Sequence, residues 1–333
     1  MSDFAANPAG LAALFARVAT KFARIVVPIN AAAADRDNRR PAFYCVHSLS
    51  GAGGTDFGHL AKLMPGVRFF GIQAPPAKVE EDEFGSTVHG IAGYYAELLD
   101  KYQPEGAFML GGWSAGAIIA LEIAQLLRAR GRAVSLLVAI DAAPKNSAYA
   151  LSRWHPLYLC EIARNLPSWI LRDAVTMKRS VRSLLWRVVI KAAAQAKAAL
   201  DGRSAREKMD FHALEEFMDM SDFRPHERAF MERLYAAVLA YRPGKYAGPV
   251  VAYEATTKPL LDLPQVGRVW TRLAPQSTIV PVQGTHLSIL RPGDVDVLAA
   301  DLRQRIADAS EPAAGVTAQP APVQPDARGR KFA

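Results

Sequence analysis

Cysteine is nearly absent from this chain: Cys45 and Cys160 are the only two among 333 residues. Two thiols far apart in sequence build neither a disulfide framework nor a cysteine-based metal site. Cys45 sits in an apolar run and reads as a small core residue. So little cysteine fits a reducing, cytoplasmic compartment. Long hydrophobic runs are missing as well. No stretch approaches 18 uncharged apolar residues, so no transmembrane helix is expected. The start, Met1 to Gly10, lacks the basic residues of a secretory signal. No glycine loop leads into Gly-Lys-Ser/Thr and no well-placed G-x-G-x-x-G occurs, which leaves a phosphate loop without support. Aromatic interleaving is sparse and nothing resembles a nucleic-acid-binding module. Internal repeats are absent, and no metal or redox cofactor is implied.

What is present is globular composition, half apolar and 22% charged. The net charge of +8 is uneven. Between Leu151 and Met209 stand 12 Lys/Arg against 4 Asp/Glu, an excess equal to that of the whole chain. A localised basic surface points to an acidic partner, with a merely solvated face as the plain alternative.

Periodicity gives the organisation. Leu11 to Ile29 carries apolar residues at helical spacing, either an N-terminal helix packing on the body or an interfacial membrane or partner helix. A polar, alanine-rich linker, Ala31 to Arg40, follows. Strands are expected at Pro41 to His47, Val67 to Ile72, Ala107 to Leu110, Val134 to Ile140, Pro249 to Glu254 and Thr278 to Val282. Helices are expected at about 56–64, 86–102, 115–130 and 295–306. Val134 to Ile140 is continuously apolar, as a central parallel strand is. The alternation predicts an α/β fold, a doubly wound and mostly parallel sheet. It stops between Ala142 and Tyr241, where an almost wholly helical block is inserted. The expected organisation is an N-terminal helix and linker (1–40), an α/β domain (41–309) with a helical lid at about 142–241, and a disordered Pro/Ala-rich tail (310–333).

One motif carries chemistry. The apolar run from Ala107 enters Gly112-Trp113-Ser114-Ala115-Gly116, and a helical pattern leaves it. This is G-x-S-x-G between strand and helix, the nucleophile elbow of α/β-hydrolases. A serine hydroxyl needs a base within hydrogen-bond reach, itself oriented by a carboxylate. In that fold the order is serine, acid, histidine, all at strand ends. His286 alone follows a late strand in a glycine-bearing loop, Gln283-Gly284-Thr285-His286. For the acid, Asp141 ends the strand after the elbow and is favoured; Glu254 and Asp262 are rivals. The oxyanion donors are expected to be the N–H of Ala115 and that of Leu49, or of Ser50, in the loop after the first strand.

With these pieces placed, the chain resembles the thioesterase domains that release products from nonribosomal peptide and polyketide synthases. The resemblance runs from about Phe43 to Ile306. It rests on Phe43-Tyr44-Cys45-Val46-His47-Ser48-Leu49-Ser50-Gly51, on Phe70-Gly71-Ile72-Gln73-Ala74-Pro75, and on Gln103-Pro104-Glu105-Gly106 with the elbow. It continues through Ala139-Ile140-Asp141-Ala142, through Ala240 to Val250, and through Gly284-Thr285-His286. It implies an α/β-hydrolase with a lid over an acyl channel, and an acid after the strand that follows the elbow, Asp141. It also implies a substrate borne on the phosphopantetheine of an acyl or peptidyl carrier protein. Where the family often has proline beside the oxyanion donor, this chain has Ser48. No carrier attachment motif is present, so a free-standing thioesterase, or one cut from a larger chain, is expected. Two competitors are an oxygen-ester hydrolase or acyltransferase on the same triad, and a catalytically silent binding protein.

Overall fold

The six apolar runs form six strands, all parallel to one another, and a seventh, antiparallel strand joins them at the edge. The computed structural model describes residues 25–34, 40–75, 85–152, 155–175, 223–258 and 265–310. In chain order the strands are β1 (Val26–Pro28), β2 (Ala42–Val46), β3 (Arg68–Ile72), β4 (Phe108–Trp113), β5 (Val134–Ile140), β6 (Val250–Ala255) and β7 (Ser277–Val282). Their spatial order is β1-β3-β2-β4-β5-β6-β7. Only β1 runs antiparallel, pairing Val26 with Ile72.

Helices cover both faces, as a parallel sheet requires. The helices are α1 (Ala31–Ala34), α2 (Gly53–Asp56), α3 (Gly58–Lys62), α4 (Val88–Tyr102), α5 (Ala115–Ala129), α6 (Pro156–Val175), α7 (Pro225–Ala240), α8 (Val266–Leu273) and α9 (Val295–Ser310). Alternation along β2 divides the core. Tyr44 and Val46 face α4, α5 and α7, whereas Phe43 and Cys45 face α3 and α9. The doubly wound architecture expected from the alternation is therefore the one observed.

Four local differences have physical causes. The helical pattern does not continue through Ile29, because Val26–Pro28 is captured by the edge of β3. Ala31 to Ala34 is a helical turn rather than linker. The helix expected at 56–64 breaks at Phe57 into α2 and α3. The eight-residue α8 was not expected; it buries Val266, Val269, Trp270 and Leu273 on one face. Several expectations lie outside the described residues: a helix over 11–24, the lid between 176 and 222 with most of the basic cluster, Asp262, and the tail from 311. No helix among the described residues is long and apolar enough to cross a membrane.

The described parts of the inserted block are α6, α7 and an irregular stretch from Ala142 to Ser152. Polar contacts tie this block to α8 and its N-cap residue. Gln265 accepts from the Leu151 N–H (2.7 Å) and donates to the Leu151 carbonyl (3.0 Å). Trp270 Nε1 donates to the Ala142 carbonyl (2.8 Å), and Arg268 pairs with Glu161 (3.5 Å).

Candidate active site

The turn between β4 and α5 forces Ser114 into φ 57°, ψ −125°, a region non-glycine residues rarely occupy. Close backbone approach explains the flanking glycines. A methyl group on Gly112 would stand 2.2 Å from the Gly116 carbonyl carbon, and one on Gly116 would stand 2.2 Å from the Val46 oxygen. The elbow is thus wedged against the end of β2, and a sharp turn there holds the serine hydroxyl away from the helix.

Asp141 directly follows β5 and also has positive φ, 48°. Its own N–H donates to the Tyr253 carbonyl (2.8 Å), tying it to β6. It is 3% exposed. One carboxylate oxygen accepts the Ala255 N–H (2.8 Å); the other lies 2.9 Å from His286 Nδ1. Because a carboxylate only accepts, Nδ1 carries the proton, which leaves Nε2 of a neutral ring as an acceptor. Nε2 lies 3.1 Å from Ser114 Oγ. The sequence-derived trio is brought into one hydrogen-bonded line from a surface-accessible serine site to a buried carboxylate.

The loop carrying His286 is held from two sides. Gly284 adopts φ 106°, and a side chain there would strike Asp294 and Ser288. Ser288 accepts the Thr285 N–H (2.9 Å) and donates to Asp294 (2.6 Å). From the elbow, Trp113 Nε1 donates to the His286 carbonyl (3.1 Å), and its indole lies over the imidazole with ring centroids 5.3 Å apart. Sequence reasoning did not single out Trp113, Ser288 or Asp294. Position two of the elbow motif was the available signal for the first, and nothing local marked the others.

The remaining histidines among the described residues have other partners or none of this kind. His89 pairs with Glu122 (2.6 Å), His47 contacts Ser48 and Tyr95, and His155 accepts from Leu157. Glu254, one rival acid, is engaged by Lys258 (2.6 Å) and not by a histidine.

Of the expected oxyanion donors, the N–H groups of Ala115 and Leu49 make no hydrogen bond among the described residues. That of Ser50 is turned to Ser48 Oγ (3.3 Å). Leu49 belongs to the loop 47–54 that follows β2, whose end abuts the elbow at Gly116. No group of three or more His, Cys, Asp or Glu side chains is placed to hold a metal ion among the described residues.

A parallel sheet with β1 antiparallel at its edge, helices on both faces and a serine on a strained strand-to-helix turn define an α/β-hydrolase fold. The fold recurs in solved thioesterases. The NocB thioesterase domain from the nocardicin cluster is 21% identical with a TM-score of 0.54, covering 85% of this chain and 99% of that one. The type II thioesterase BorB from the borrelidin biosynthetic cluster is 16% identical with a TM-score of 0.52, over 85% and 96%. Residues 41–297 match the Thioesterase domain family, and the chain belongs to it. Similar sequences include the non-reducing polyketide synthase ZEA1 of Gibberella zeae, 37% identical over 108 residues (31% of this chain). Polyketide synthase PksR of Bacillus subtilis is 33% identical over 120 residues (35% of this chain). The matched stretches span only 5% and 4% of those synthases.

Proposed function

We propose that the chain cleaves acyl thioesters through a serine acyl-enzyme. Ser114 Oγ attacks the thioester carbonyl while His286 Nε2 takes its proton. The C–S bond then breaks, and the imidazolium returns that proton to the departing thiolate. Water, or a hydroxyl or amine of the acyl chain itself, attacks the ester by the same route in reverse and frees Ser114. Asp141 holds the Nδ1–H tautomer and offsets the imidazolium charge. The N–H groups of Ala115 and Leu49 receive the tetrahedral oxyanion. The observation that carries this reading is the line Ser114–His286–Asp141, at 3.1 and 2.9 Å, starting from a strained serine.

The substrate assigned is an acyl or peptidyl chain on the phosphopantetheine of a carrier protein. The names of the similar proteins, polyketide synthases among them, support that class. Two free cysteines, one of them exposed, fit a cytoplasmic setting. The test is turnover of matched S-acyl and O-acyl pantetheine analogues, with the reaction quenched early and the protein weighed. The thioester should be consumed faster and leave a transient acyl mass on Ser114. Faster turnover of the oxygen ester would favour the ester-hydrolase reading. Turnover without acylated Ser114 would overturn the mechanism.

A further inference from the structure

The loop presenting Leu49 is built around a carboxylate that the mechanism above does not use. Asp56, at the end of α2, accepts the Ser48 N–H at Oδ2 (2.9 Å). The Ser50 hydroxyl lies 3.2 and 3.3 Å from its two oxygens. Ser50 Oγ in turn accepts the Ala52 N–H (3.1 Å), and Ser48 Oγ accepts the Ser50 N–H. Every one of these bonds closes within the segment 48–56. The carboxylate is therefore the hub on which the loop is folded.

The base of that hub is rigid. A methyl group on Gly53 would stand 2.1 Å from the Ile72 oxygen, and one on Gly71 would stand 2.2 Å from the Gly53 oxygen. Backbone thus meets backbone where α2 docks on β3. Asp56 is delivered from the same short helix. The other side of the loop is held by the fully buried His47. Its Nδ1 lies 2.6 Å from the Ser48 carbonyl, which also accepts the Gly51 N–H (3.2 Å).

The Ser48 carbonyl and the Leu49 N–H belong to one peptide unit. In a trans peptide these two groups point in opposite directions. With the carbonyl turned to His47 and Gly51, the N–H faces away from them, and it has no protein acceptor among the described residues. Asp56 holds the N–H of the preceding peptide, so the chain enters this unit from a fixed point, and the Ser50 hydroxyl it engages fixes where the chain leaves.

We propose that Asp56 is a positioning residue for the oxyanion site: by gripping the Ser48 N–H and the Ser50 hydroxyl, it aims the Leu49 N–H at the tetrahedral oxyanion. The inference rests on the assignment of Leu49 as an oxyanion donor. Asp56 touches no reacting atom. What the loop needs from it is an acceptor in a fixed place, not a charge, since an anion beside an oxyanion site opposes the charge that develops there.

The experiment compares wild type with Asp56→Ala and Asp56→Asn on an S-acyl pantetheine analogue, with melting temperature and Ser114 labelling by a fluorophosphonate measured on each. A substrate-like boronic acid, whose tetrahedral adduct places an oxygen in the same site, is titrated alongside. Losing one oxyanion donor outright lowers kcat about 100- to 1,000-fold. A donor left in place but misaimed should cost about 10- to 100-fold. Asp56→Ala should show that fall in kcat with KM within about twofold, and its boronate affinity should fall in parallel. Asp56→Asn keeps an acceptor for the Ser48 N–H and should recover kcat to within about threefold of wild type. Should Asp56→Ala not fold, Ser50→Ala removes one arm of the hub and should lower kcat and boronate affinity together, KM unchanged. A folded Asp56→Ala with wild-type kcat overturns the inference, as does an Asp56→Asn no better than Asp56→Ala. For Ser50→Ala the overturning result is an unchanged kcat. A wild type that takes no label on Ser114 brings down the serine mechanism itself, a failure distinguishable from these.

Discussion

The sheet side of the molecule and the inserted block are held by different means. Around the elbow, backbone lies against backbone: Gly112 on Gly116, Gly116 on Val46, Gly53 on Ile72. There the carboxylate, the imidazole and the hydroxyl are fixed by strand ends whose positions a hydrogen-bonded sheet defines. The inserted block is attached by side chains: α7 buries Phe230, Met231, Leu234 and Val238 in the core, and the paired bonds of Gln265 and Leu151, the Trp270 bond to Ala142 and the Arg268–Glu161 pair hold the rest. Its helix α6 leaves Leu157, Leu159 and Leu166 exposed. The serine end of the triad geometry rests on backbone meeting backbone, and the histidine end on the side chains of Trp113, Ser288 and Asp294. The exposed face of α6 can change without disturbing that geometry.

The comparison breaks most visibly at the triad. Ser114→Ala and Asp141→Asn should each lower kcat by about 10⁴-fold or more with melting temperature little changed, measured by thioester turnover and calorimetry. Wild-type activity in Asp141→Asn would return the acid to another strand end. Next in size is the elbow packing. Gly116→Ala places a methyl 2.2 Å from a main-chain oxygen, and a rigid backbone neighbour cannot yield, so a loss of about 3 kcal/mol or more in denaturant titration is expected.

A smaller effect follows from His47. Burial holds its pKa below the ordinary histidine value, against the opposing pull of the Ser48 carbonyl and the Asp56 charge. The folded protein keeps it neutral where the unfolded chain protonates it. Stability should therefore fall as pH drops below about 6.5, by up to about 1.4 kcal/mol per pH unit, until the folded group itself titrates. Urea midpoints measured from pH 8 to pH 5 check this, and in His47→Asn that part of the slope should disappear. The smallest effect is on the inserted block. Gln265→Ala should cost about 1 kcal/mol and raise KM for a long-chain thioester, leaving fluorophosphonate labelling within about twofold. Labelling that fell in step with KM would mean the block helps set the triad.

How far the sequence carries depends on how local each feature is. The elbow was legible because its glycines, serine, strand and helix are contiguous. Six strands were legible because each is an apolar run several residues long. β1 was not: three residues ending in Pro28 make no pattern, and only pairing with β3 makes them a strand. The apolar spacing of Val266, Val269, Trp270 and Leu273 was readable as a helix, but only eight residues long and without a side-chain N-cap bond. The acid had to be left open among Asp141, Glu254 and Asp262, because no local pattern says which strand end a loop 145 residues further on will reach. Lys258, one turn past Glu254, was the available hint that Glu254 has another partner. The hub at Asp56 was invisible, since Gly53 and Gly71 become necessary only when α2 docks on β3.

The most direct test of the account is intact-mass labelling with a serine-reactive fluorophosphonate. It compares wild type with Ser114→Ala, Asp141→Asn and His286→Ala. The account predicts one adduct on wild type, none on Ser114→Ala, and labelling slowed by orders of magnitude in the other two. A folded wild type that takes no adduct, or an adduct that survives Ser114→Ala, would contradict it.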